Sequence, residues 1–420
     1  MLRVRQRLSR HGIRAADMTR LAPQPWMTSS AARRVIAALE AARPGSARFV
    51  GGCVRNALLG EPVADVDIAT QLTPDHVEKA MLAAKIAVHP TGIEHGTLTV
   101  VADHHPFEVT TLRRDVEGDG RRATVAFTED WAEDAQRRDF RMNALYASID
   151  GEVFDPTGGG IDDIAQRRIV FVGDPETRLR EDYLRILRFF RFFAWYGHGE
   201  PDAAGLAACA KLKTGLAGIS AERVWMETKK LLAAPNPLPS LKAMEASGVF
   251  ATLFPESRGL DLLRKLVAVE TTDGLSPDPM VRFLSLFWKD ASTIRDVANR
   301  LKLSNEESHR LTWAAKDVTV IDTRMNTRAM RRALYAIGPA VFRDRVALEW
   351  AQEPTAAGIW KTLYDASGAY ERPVMPVSGN DLLSRGITEG PAIGDTLKRL
   401  EAAWIDSDFK LDRDKLLSKL

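Results

Sequence analysis

The sequence of 420 residues lacks any apolar run long enough to cross a membrane, and it contains only two cysteines, Cys53 and Cys209. The first absence excludes a membrane-spanning helix. The second excludes a disulfide framework and is typical of the reducing cytoplasm. No Cys/His cluster indicates a zinc site. The apolar content of 45% is enough to form hydrophobic cores. We therefore expect a globular, cytoplasmic protein of two to four domains without a membrane partner.

An excess of charge of one sign is also lacking, because 58 lysines and arginines nearly balance 56 aspartates and glutamates and leave a net charge of +2. Arginines are nevertheless concentrated between residues 113 and 191. They include Arg113, Arg114, Arg121, Arg122, Arg137, Arg138, Arg141, Arg178, Arg180, Arg185, Arg188 and Arg191. A local basic surface can bind a polyanion despite a low net charge. Each arginine by itself is more simply a solvated surface residue, so a nucleic-acid partner is one of two interpretations.

A glycine turn follows an apolar strand end in the segment FVGGCVRNALLGEPVADVDIAT, residues 49–70. Gly51 and Gly52 lead into a helix, and a turn without side chains lets backbone N–H groups approach phosphate oxygens. Arg55 adds a fork of donors. The turn therefore predicts a phosphate-binding site, whereas a lone pair of glycines would be a structural turn.

Two aspartates close the same segment. On a strand, side chains alternate between faces, so Asp65 and Asp67 are predicted to project together. Paired carboxylates suit Mg²⁺. A solvated acidic loop is the alternative, but the order of glycine turn, arginine and paired aspartates in one strand–helix–strand unit favours a site for triphosphate and metal.

The remaining pattern predicts a sheet with two helices on one side, followed by a helical region. We expect a helix at 29–42, a helix after Thr73-Pro74, a hairpin from TLTVV and FEVTTL, a mobile loop at 113–130, a helix at 131–147 and a hairpin at 147–156. Helical periodicity dominates from about residue 175. Proline-rich breaks at 234–239, 276–279 and 372–380 are candidate domain boundaries.

These residues closely resemble the head domain of the class II tRNA nucleotidyltransferases, the family of CCA-adding enzymes and bacterial poly(A) polymerases. The resemblance covers nearly the whole chain and extends to RRDFRMNA (137–144), FDPTGGGIDDI (154–164), EDYLRILRFFR (181–191) and a tail segment at 376–405. It is most similar to the bacterial CCA-adding branch. The paired His-Asp motifs of the phosphohydrolase domain found in some relatives are missing from this sequence.

The resemblance implies an α+β fold, with a polymerase-β-like nucleotidyltransferase head of mixed sheet and helices followed by an all-helical neck, body and tail. The implied segments are 1–28, a basic N-terminal arm; 29–153, the catalytic head; 154–235, the neck that recognises the base; 236–371, the body; and 372–420, the tail that contacts tRNA. A transit peptide or an upstream start is an alternative for the first segment. The glycines of 154–164 are either a hinge between head and neck or a plain turn.

In this family the paired aspartates hold the catalytic metal, which assigns Asp65 and Asp67 to Mg²⁺. A neighbouring strand often completes the site, and Glu108 is the candidate here, with an exposed strand glutamate as an equal alternative. The RRDFRMNA motif holds the nucleotide, which implies phosphate contact for Arg138, sugar contact for Asp139 and a nucleotide-binding role for Asn143. The family's usual threonine is replaced by Arg141.

The EDYLRILRFFR segment matches the family's EDxxRxxR motif. If Asp182 and Arg185 lie three residues apart on a helix, they present an acceptor and a donor as a substitute for a base edge. Cytosine and adenine fit such a pair, whereas uracil and guanine present the reverse pattern. Arg188 and Arg191 continue the series toward phosphate or base. The alternative is a surface salt bridge.

The expected function is template-independent addition of C, C and A to the 3′ end of tRNA from CTP and ATP, with release of diphosphate and contact to the acceptor and T arms. A poly(A) polymerase or an enzyme that adds only A is the alternative of the same class. The segment TGIEHGTLTVV resembles the CCA-adding branch, and the arginine-bearing loop at 113–127 argues against an enzyme limited to CC. A noncatalytic RNA-binding protein is the alternative of another class. The intact aspartates argue against it, and the oligomeric state is left open.

Overall fold

The structure, a computed structural model, describes residues 19–116, 124–316, 319–387 and 390–420. The chain forms two compact units. The first contains the described residues up to Ile219 together with Pro239–Leu253, and the second contains Ser220–Leu238 and Phe254–Leu420. None of the helices described has the length and apolar character needed to cross a membrane. The division into arm, head, neck, body and tail stays a prediction.

A mixed seven-stranded sheet forms the centre of the first unit, in the order β3-β4-β5-β2-β1-β8-β9. Its strands are β1 (Ala47–Val50), β2 (Asp67–Thr70), β3 (Ala87–Gly92), β4 (Thr97–Ala102), β5 (His105–Thr111), β8 (Tyr146–Ala147) and β9 (Val153–Phe154), and a separate pair is β6 (Arg113–Val116) and β7 (Thr124–Phe127). Strands β2 and β5 are parallel, and the other neighbours are antiparallel. The two predicted hairpins, β4–β5 and β8–β9, are confirmed.

The strands follow from alternating burial. In β4, Leu98, Val100 and Ala102 are buried while the residues between them are not. This period of two places one row of side chains on the core side of the sheet. The pairing of β2 with β5 places two polar residues opposite each other, Asp67 at the start of β2 and Glu108 in β5.

The prediction of a mobile loop over 113–130 is wrong at both ends, because β6 and β7 pair there. Arg113 lies opposite Phe127, and Arg114 lies opposite Ala126. The Thr128 N–H also donates to the Leu112 carbonyl at 2.9 Å. Because of the arginines, this segment lacks the alternation of apolar and polar residues that predicts a strand, and the strands are identified from the backbone pairing. Residues 117–123, the centre of the predicted loop, lie outside the described part of the chain.

Among the residues described, nine helices accompany the sheet in the part of the first unit that runs up to Leu212. They are α1 (Pro25–Thr28), α2 (Ser30–Ala42), α3 (Gly52–Leu59), α4 (Pro74–Ala83), α5 (Trp131–Gln136), α6 (Gly160–Ala165), α7 (Pro175–Glu181), α8 (Leu184–Tyr196) and α9 (Ala203–Leu212). The predicted helix at 29–42 is confirmed as α2, where the Ser29 side chain accepts a bond from the Ala32 N–H. Leu21 and Met27 are buried, so this part of the predicted arm belongs to the core of the first unit.

The predicted continuous helix over 131–147 is wrong. Helix α5 ends at Gln136, a 3-10 turn spans Arg141–Asn143, and β8 follows. Phe140 is extended at φ −123° and ψ 146°, bridges to Phe171 and is fully buried. Burial of this ring against Phe171, at 4.9 Å between centroids, outweighs the local helical pattern.

Helices make up the second unit in the residues described. They are α10 (Ala221–Leu232), α13 (Asp261–Thr272), α14 (Pro279–Ser285), α15 (Ala291–Arg300), α16 (Asn305–Lys316), α17 (Thr327–Ile337), α18 (Pro339–Gln352), α19 (Ala357–Gly368), α20 (Gly379–Leu383), α21 (Gly390–Asp406) and α22 (Arg413–Leu417); α11 (Leu238–Ala246) leads back to the first unit, which also holds α12 (Val249–Leu253). The helical region predicted from residue 175 and the α+β fold class are confirmed. The core contains the fully buried Arg282, which pairs with Glu270 at 2.6 Å.

Candidate active site

The turn between β1 and α3 has a backbone that only glycine adopts readily. Gly51 has φ 71° and ψ −120°, and its N–H donates to the Leu145 carbonyl at 3.1 Å. Gly52 begins α3. A Cβ built on Gly51 would lie 3.6 Å from Nη1 of Arg138. The turn therefore brings the helix N-terminus and one of the predicted phosphate-binding arginines together.

The paired aspartates do not share a strand. Strand β2 begins at Asp67, and Asp65 lies in the irregular segment ahead of it, so that part of the prediction is wrong. The segment contains Pro62 and no residue paired with β1, because the register of β1 and β2 ends at Phe49 and Ile68.

The three predicted carboxylates nevertheless meet in one place. Asp67 lies opposite Glu108 in the parallel pair β2–β5. Asp65, Asp67 and Glu108 all line one cavity of ≈ 610 Å³. The parallel pairing of β2 and β5 therefore supplies the third carboxylate from a neighbouring strand.

Negative charge accumulates in this cavity. Burial, and after it the Glu108 carboxylate, raise the pKa of Asp67 to about 6 against the opposing effect of Arg138. A divalent cation would remove this repulsion, so the donor set suits a hard cation. The described residues contain no group of three side chains with the geometry of a complete metal site. A bound cation would need additional oxygen ligands, which a triphosphate can supply.

Asp134 fixes Arg138 and was missed by the sequence reasoning. Its side chain is 1% exposed and accepts bonds from Arg138 Nη2 at 3.0 Å, Arg137 Nε at 2.8 Å and the Tyr146 hydroxyl at 2.7 Å. Burial opposes ionisation, but Arg138 and Arg137 outweigh it and lower the pKa of Asp134 to about 2. The spacing of Asp134 to these arginines, three and four residues, was the available signal.

Asp139 lies at the centre of a second buried network. Its Oδ2 accepts bonds from Arg188 Nε at 2.8 Å and Nη2 at 2.5 Å, and its Oδ1 accepts from Asn143 Nδ2 at 2.9 Å. Burial opposes ionisation, but Arg188 and Asn143 prevail and hold the pKa of Asp139 below its usual value. Three predicted nucleotide-binding residues are thus joined directly.

Arg55 extends this network from helix α3. Its Nη1 donates to Asn143 Oδ1 at 2.6 Å, and its Nη2 donates to the Tyr196 hydroxyl at 2.9 Å and to Asn56 Oδ1 at 2.7 Å. Arg55 is 8% exposed, and burial lowers its pKa. The structure places Arg55 behind the glycine turn as a support for Asn143, and its contact with phosphate stays a prediction.

Asp182 and Arg185 do not lie on one helix, so that premise is wrong. Helix α7 ends at Glu181, Asp182 is extended at φ −155° and ψ 104°, and α8 begins at Leu184. The reason is that Asp182 Oδ1 accepts a bond from the Leu184 N–H at 3.0 Å and so caps α8. Arg185 instead donates to Glu181 at 2.5 Å and to the Arg178 carbonyl at 3.0 Å.

Phe192 was also missed. Its ring lies within cation–π distance of Arg55, Arg188 and Arg191, at 5.2, 5.3 and 4.6 Å. Phe192 is 5% exposed and belongs to the apolar face of α8. Aromatic residues on the apolar face of a helix normally pack in the core, so the sequence gives no separate signal for the position of Phe192 among the arginines.

Arg141, the departure from the family pattern, is held by a buried acid. It donates to Asp163 through Nε at 2.6 Å and Nη2 at 2.8 Å, and Arg168 adds a bond at 3.0 Å. A Cβ on Gly159 would lie 2.7 Å from Arg141 Nη1. The Asp155 carboxylate accepts backbone bonds from Gly158, Gly160 and Ile161. The glycine segment is therefore an ordered turn packed on Arg141.

Two family models match the sequence. The "Poly A polymerase head domain" covers residues 47–170, and the "Probable RNA and SrmB- binding site of polymerase A" covers residues 201–260. Both matches fall in regions that carry the nucleotidyltransferase resemblance.

Curated relatives cover most of the chain. It is 35% identical over 387 residues to the mitochondrial CCA tRNA nucleotidyltransferase 1 of Mus musculus, covering 88% of this chain and 85% of the relative. It is 31% identical over 384 residues to the CCA-adding enzyme of Bacillus cytotoxicus, covering 88% and 92%.

Solved structures agree with these relatives. The Bacillus stearothermophilus CCA-adding enzyme in complex with CTP has a TM-score of 0.74 and 28% identity, covering 91% of this chain and 94% of that chain. The Thermotoga maritima enzyme complexed with tRNA shares the fold at a TM-score of 0.61 and 19% identity, covering 92% and 93%. The chain belongs to the CCA tRNA nucleotidyltransferase family and is a nucleotidyltransferase.

Proposed function

We propose that this chain adds C, C and A to the 3′ end of tRNA from CTP and ATP, without a nucleic-acid template and with release of diphosphate. The observation that carries the proposal is the placement of three carboxylates beside the glycine turn and Arg138 in a member of this family. Asp67 and Glu108 lie opposite each other, and Asp65 lines the same cavity. A protein that only binds RNA gains nothing from negative charge at this place.

We propose Mg²⁺ as the cation, held by Asp65 and Asp67 with Glu108 beside them. When bound, the cation neutralises triphosphate charge and lowers the pKa of the attacking hydroxyl. The Gly51-Gly52 turn and Arg138 hold the triphosphate. Asp139, fixed by Arg188 and Asn143, orients the sugar. Positioning of this kind supplies most of the catalysis in phosphoryl transfer.

We propose that Asp182 and Arg185 select the base even though a helix break separates them from α7. Arg185 donates its backbone N–H to the Asp182 carbonyl at 3.0 Å, so the two residues remain neighbours. Arg185 has to exchange Glu181 for the base. Replacing either residue with Ala should weaken discrimination against UTP and GTP more than it weakens triphosphate binding. Unchanged base choice in both variants would contradict the assignment.

The proposed RNA partner is tRNA, contacted along its acceptor and T arms by the helical part of the chain. A-form RNA hides its base edges in a deep, narrow groove, so a protein that serves many tRNAs has reason to contact their backbone. We also propose a cytoplasmic location. Both cysteines are free and buried, as suits a reducing compartment.

The test is extension of tRNAs that end at the discriminator base, at C and at CC, each supplied with one nucleotide at a time. The proposal predicts C addition to the first two substrates and A addition only to the third. A addition to every RNA in long runs would identify a poly(A) polymerase. Extension of the CC substrate alone would identify an A-adding enzyme. If the protein bound tRNA but formed no product, it would be an RNA-binding protein without this activity.

A further inference from the structure

A ring of hydrogen-bonded side chains, closed through the backbone of helix α8, joins α8 to Arg55 of α3, the helix that follows the glycine turn. Arg188, in the second turn of α8, donates to Asp139, which accepts from Asn143. Asn143 accepts from Arg55, and Arg55 donates to the hydroxyl of Tyr196, the last residue of α8. The path therefore leaves α8 at one residue and returns to it at another.

Every link of the ring has a fixed direction. Because Asn143 Nδ2 donates to the Asp139 carboxylate, its Oδ1 is left to accept from Arg55. Asn143, Asp139 and Arg55 are each 8 to 9% exposed, so water has little access to replace a broken bond. The loss of one hydrogen bond in the ring therefore alters the position of the next residue in it.

Tyr196 is the member of the ring that belongs to no nucleotide motif. Its hydroxyl lies 2.9 Å from Arg55 Nη2, and its ring lies 4.3 Å from the Arg55 guanidinium carbon. Phe192 contacts the same guanidinium at 5.2 Å. Without the hydroxyl, one N–H of Arg55 Nη2 would lose its acceptor while the other keeps Asn56 Oδ1, and bonds to a charged group are among the stronger ones in proteins.

We infer that Tyr196 is a positioning residue for the incoming nucleotide. It acts through Arg55 and Asn143 on Asp139 and Arg188, and it fixes the place of α8 beside α3. The inference rests on the proposed function, because it takes Asp139 and Arg188 as nucleotide contacts. The hydrogen-bonded ring of residues requires the hydroxyl of Tyr196, because the aromatic side chain alone cannot accept the bond from Arg55.

The test compares Tyr196→Phe with the wild-type enzyme in C addition and A addition to tRNA. Phenylalanine keeps the ring beside Arg55 and removes only the hydroxyl. We expect the KM for CTP and for ATP to rise roughly tenfold, as for removal of a bond to a charged group, with kcat changed much less. Tyr196→Leu, which also removes the ring, should raise both KM values at least as far.

A control separates this effect from the removal of any tyrosine hydroxyl. The buried hydroxyl of Tyr370 has no hydrogen-bond partner among the residues that the structure describes, so Tyr370→Phe should keep both KM values. All variants are assayed below their melting temperatures, measured by circular dichroism. A merely structural role for Tyr196 would lower the melting temperature and leave KM unchanged.

The outcomes distinguish the inference from the function on which it rests. If wild-type protein does not add C, C and A, the proposed function fails whatever the variants do. If wild-type protein is active and Tyr196→Phe keeps the wild-type KM for both nucleotides, the positioning role is overturned. A higher KM in the Tyr196 variants alone supports it.

Discussion

Asp134 is a single buried carboxylate on which the place of Arg138 depends. Its pKa lies near 2, below the value of 3.8 for an unfolded chain, so ionisation favours the folded state. This stability is fully present above pH 3.8 and is lost as the pH falls toward 2. The shift corresponds to about 2 kcal/mol.

We therefore expect Asp134→Asn to lower the free energy of unfolding by about 2 kcal/mol at neutral pH. The difference from wild type should stay nearly constant between pH 7 and pH 5 and shrink below pH 4. Urea unfolding of both proteins across this range measures it. A difference that grows as the pH falls would contradict the ion pairing of Asp134.

Asp163 offers a second test at this scale, because the carboxylate is fully buried while its two arginines are not. Arg141 makes two bonds to it and is 27% exposed, whereas Arg168 makes one and is 45% exposed. Arg141→Ala should cost about 2 kcal/mol, since it leaves a buried charge partly unpaired. Arg168→Ala is the matched control and should cost less than half as much.

A further substitution separates charge from packing at this site. Asp163→Asn in the Arg141→Ala background should restore part of the lost stability, because it removes the unpaired charge. Thermal unfolding of the three variants gives the comparison. Equal stability of Arg141→Ala and wild type would show that the buried acid does not need its arginine.

Among the secondary-structure elements, those with a clear local pattern were predictable. Alternating residues indicated β4 and β5, and the glycine pair indicated the turn into α3. The break at Asp182 was not predictable from helical spacing, because Asp182 caps α8 and is not part of a longer helix. Likewise, α5 ends because Phe140 is buried against Phe171, a contact thirty-one residues away in sequence.

In the candidate site, too, only residues with a clear local pattern or a family motif were predictable from the sequence. Asp65 and Asp67 were predicted from the order of glycine turn, arginine and paired aspartates, and Glu108 was predicted from the family resemblance. The partners that fix the arginines were not found. Phe192 and Tyr196 reach Arg55 from α8, and only the tertiary fold brings them there, whereas Asp134 lies four residues before Arg138 in the sequence.

The β6–β7 pair sharpens the prediction that the arginine-bearing loop is needed for the final A. Val116 lies opposite Thr124, so residues 117–123 can be replaced by Asn-Gly, which suits a two-residue hairpin turn. This variant should keep C addition and lose A addition, measured on tRNAs ending at the discriminator base and at CC.

A control keeps the length and removes the charge. Arg121→Ala with Arg122→Ala, in the full-length loop, shows whether the arginines or the length of the loop matter. Equal loss of C and A addition in the shortened variant would indicate a folding role and contradict the specific role in A addition.

At the scale of the whole molecule, we expect the tail to contribute to tRNA binding. Lys398, Arg399, Lys410 and Lys415 are the candidate contacts. Truncation near residue 372 should weaken tRNA binding and spare nucleotide binding. It would also remove Trp404, whose ring lies 5.8 Å from Tyr335 of α17, and so expose Tyr335. Charge removal in the full chain is therefore the sharper experiment.

Lys398→Gln with Arg399→Gln should lower tRNA affinity and reduce its salt dependence. For each phosphate that is no longer neutralised, the slope of log affinity against log salt should fall by about 0.9 or less. Affinity for CTP should be unchanged. Lys79→Gln with Lys85→Gln, on and just after α4, removes the same charge from the head as a control. An unchanged slope in the tail variant would show that these residues do not bind RNA.

The central claim is that the carboxylates at the glycine turn catalyse the addition of C, C and A. The most direct measurement supplies tRNA lacking this end with all four nucleotides and Mg²⁺, and sequences the 3′ ends of the products. Wild-type protein should give ends that stop at CCA. Asp65→Ala and Asp67→Ala should each give no extension while binding tRNA with nearly wild-type affinity. Full turnover by either variant, or wild-type products with any other sequence, would contradict the account.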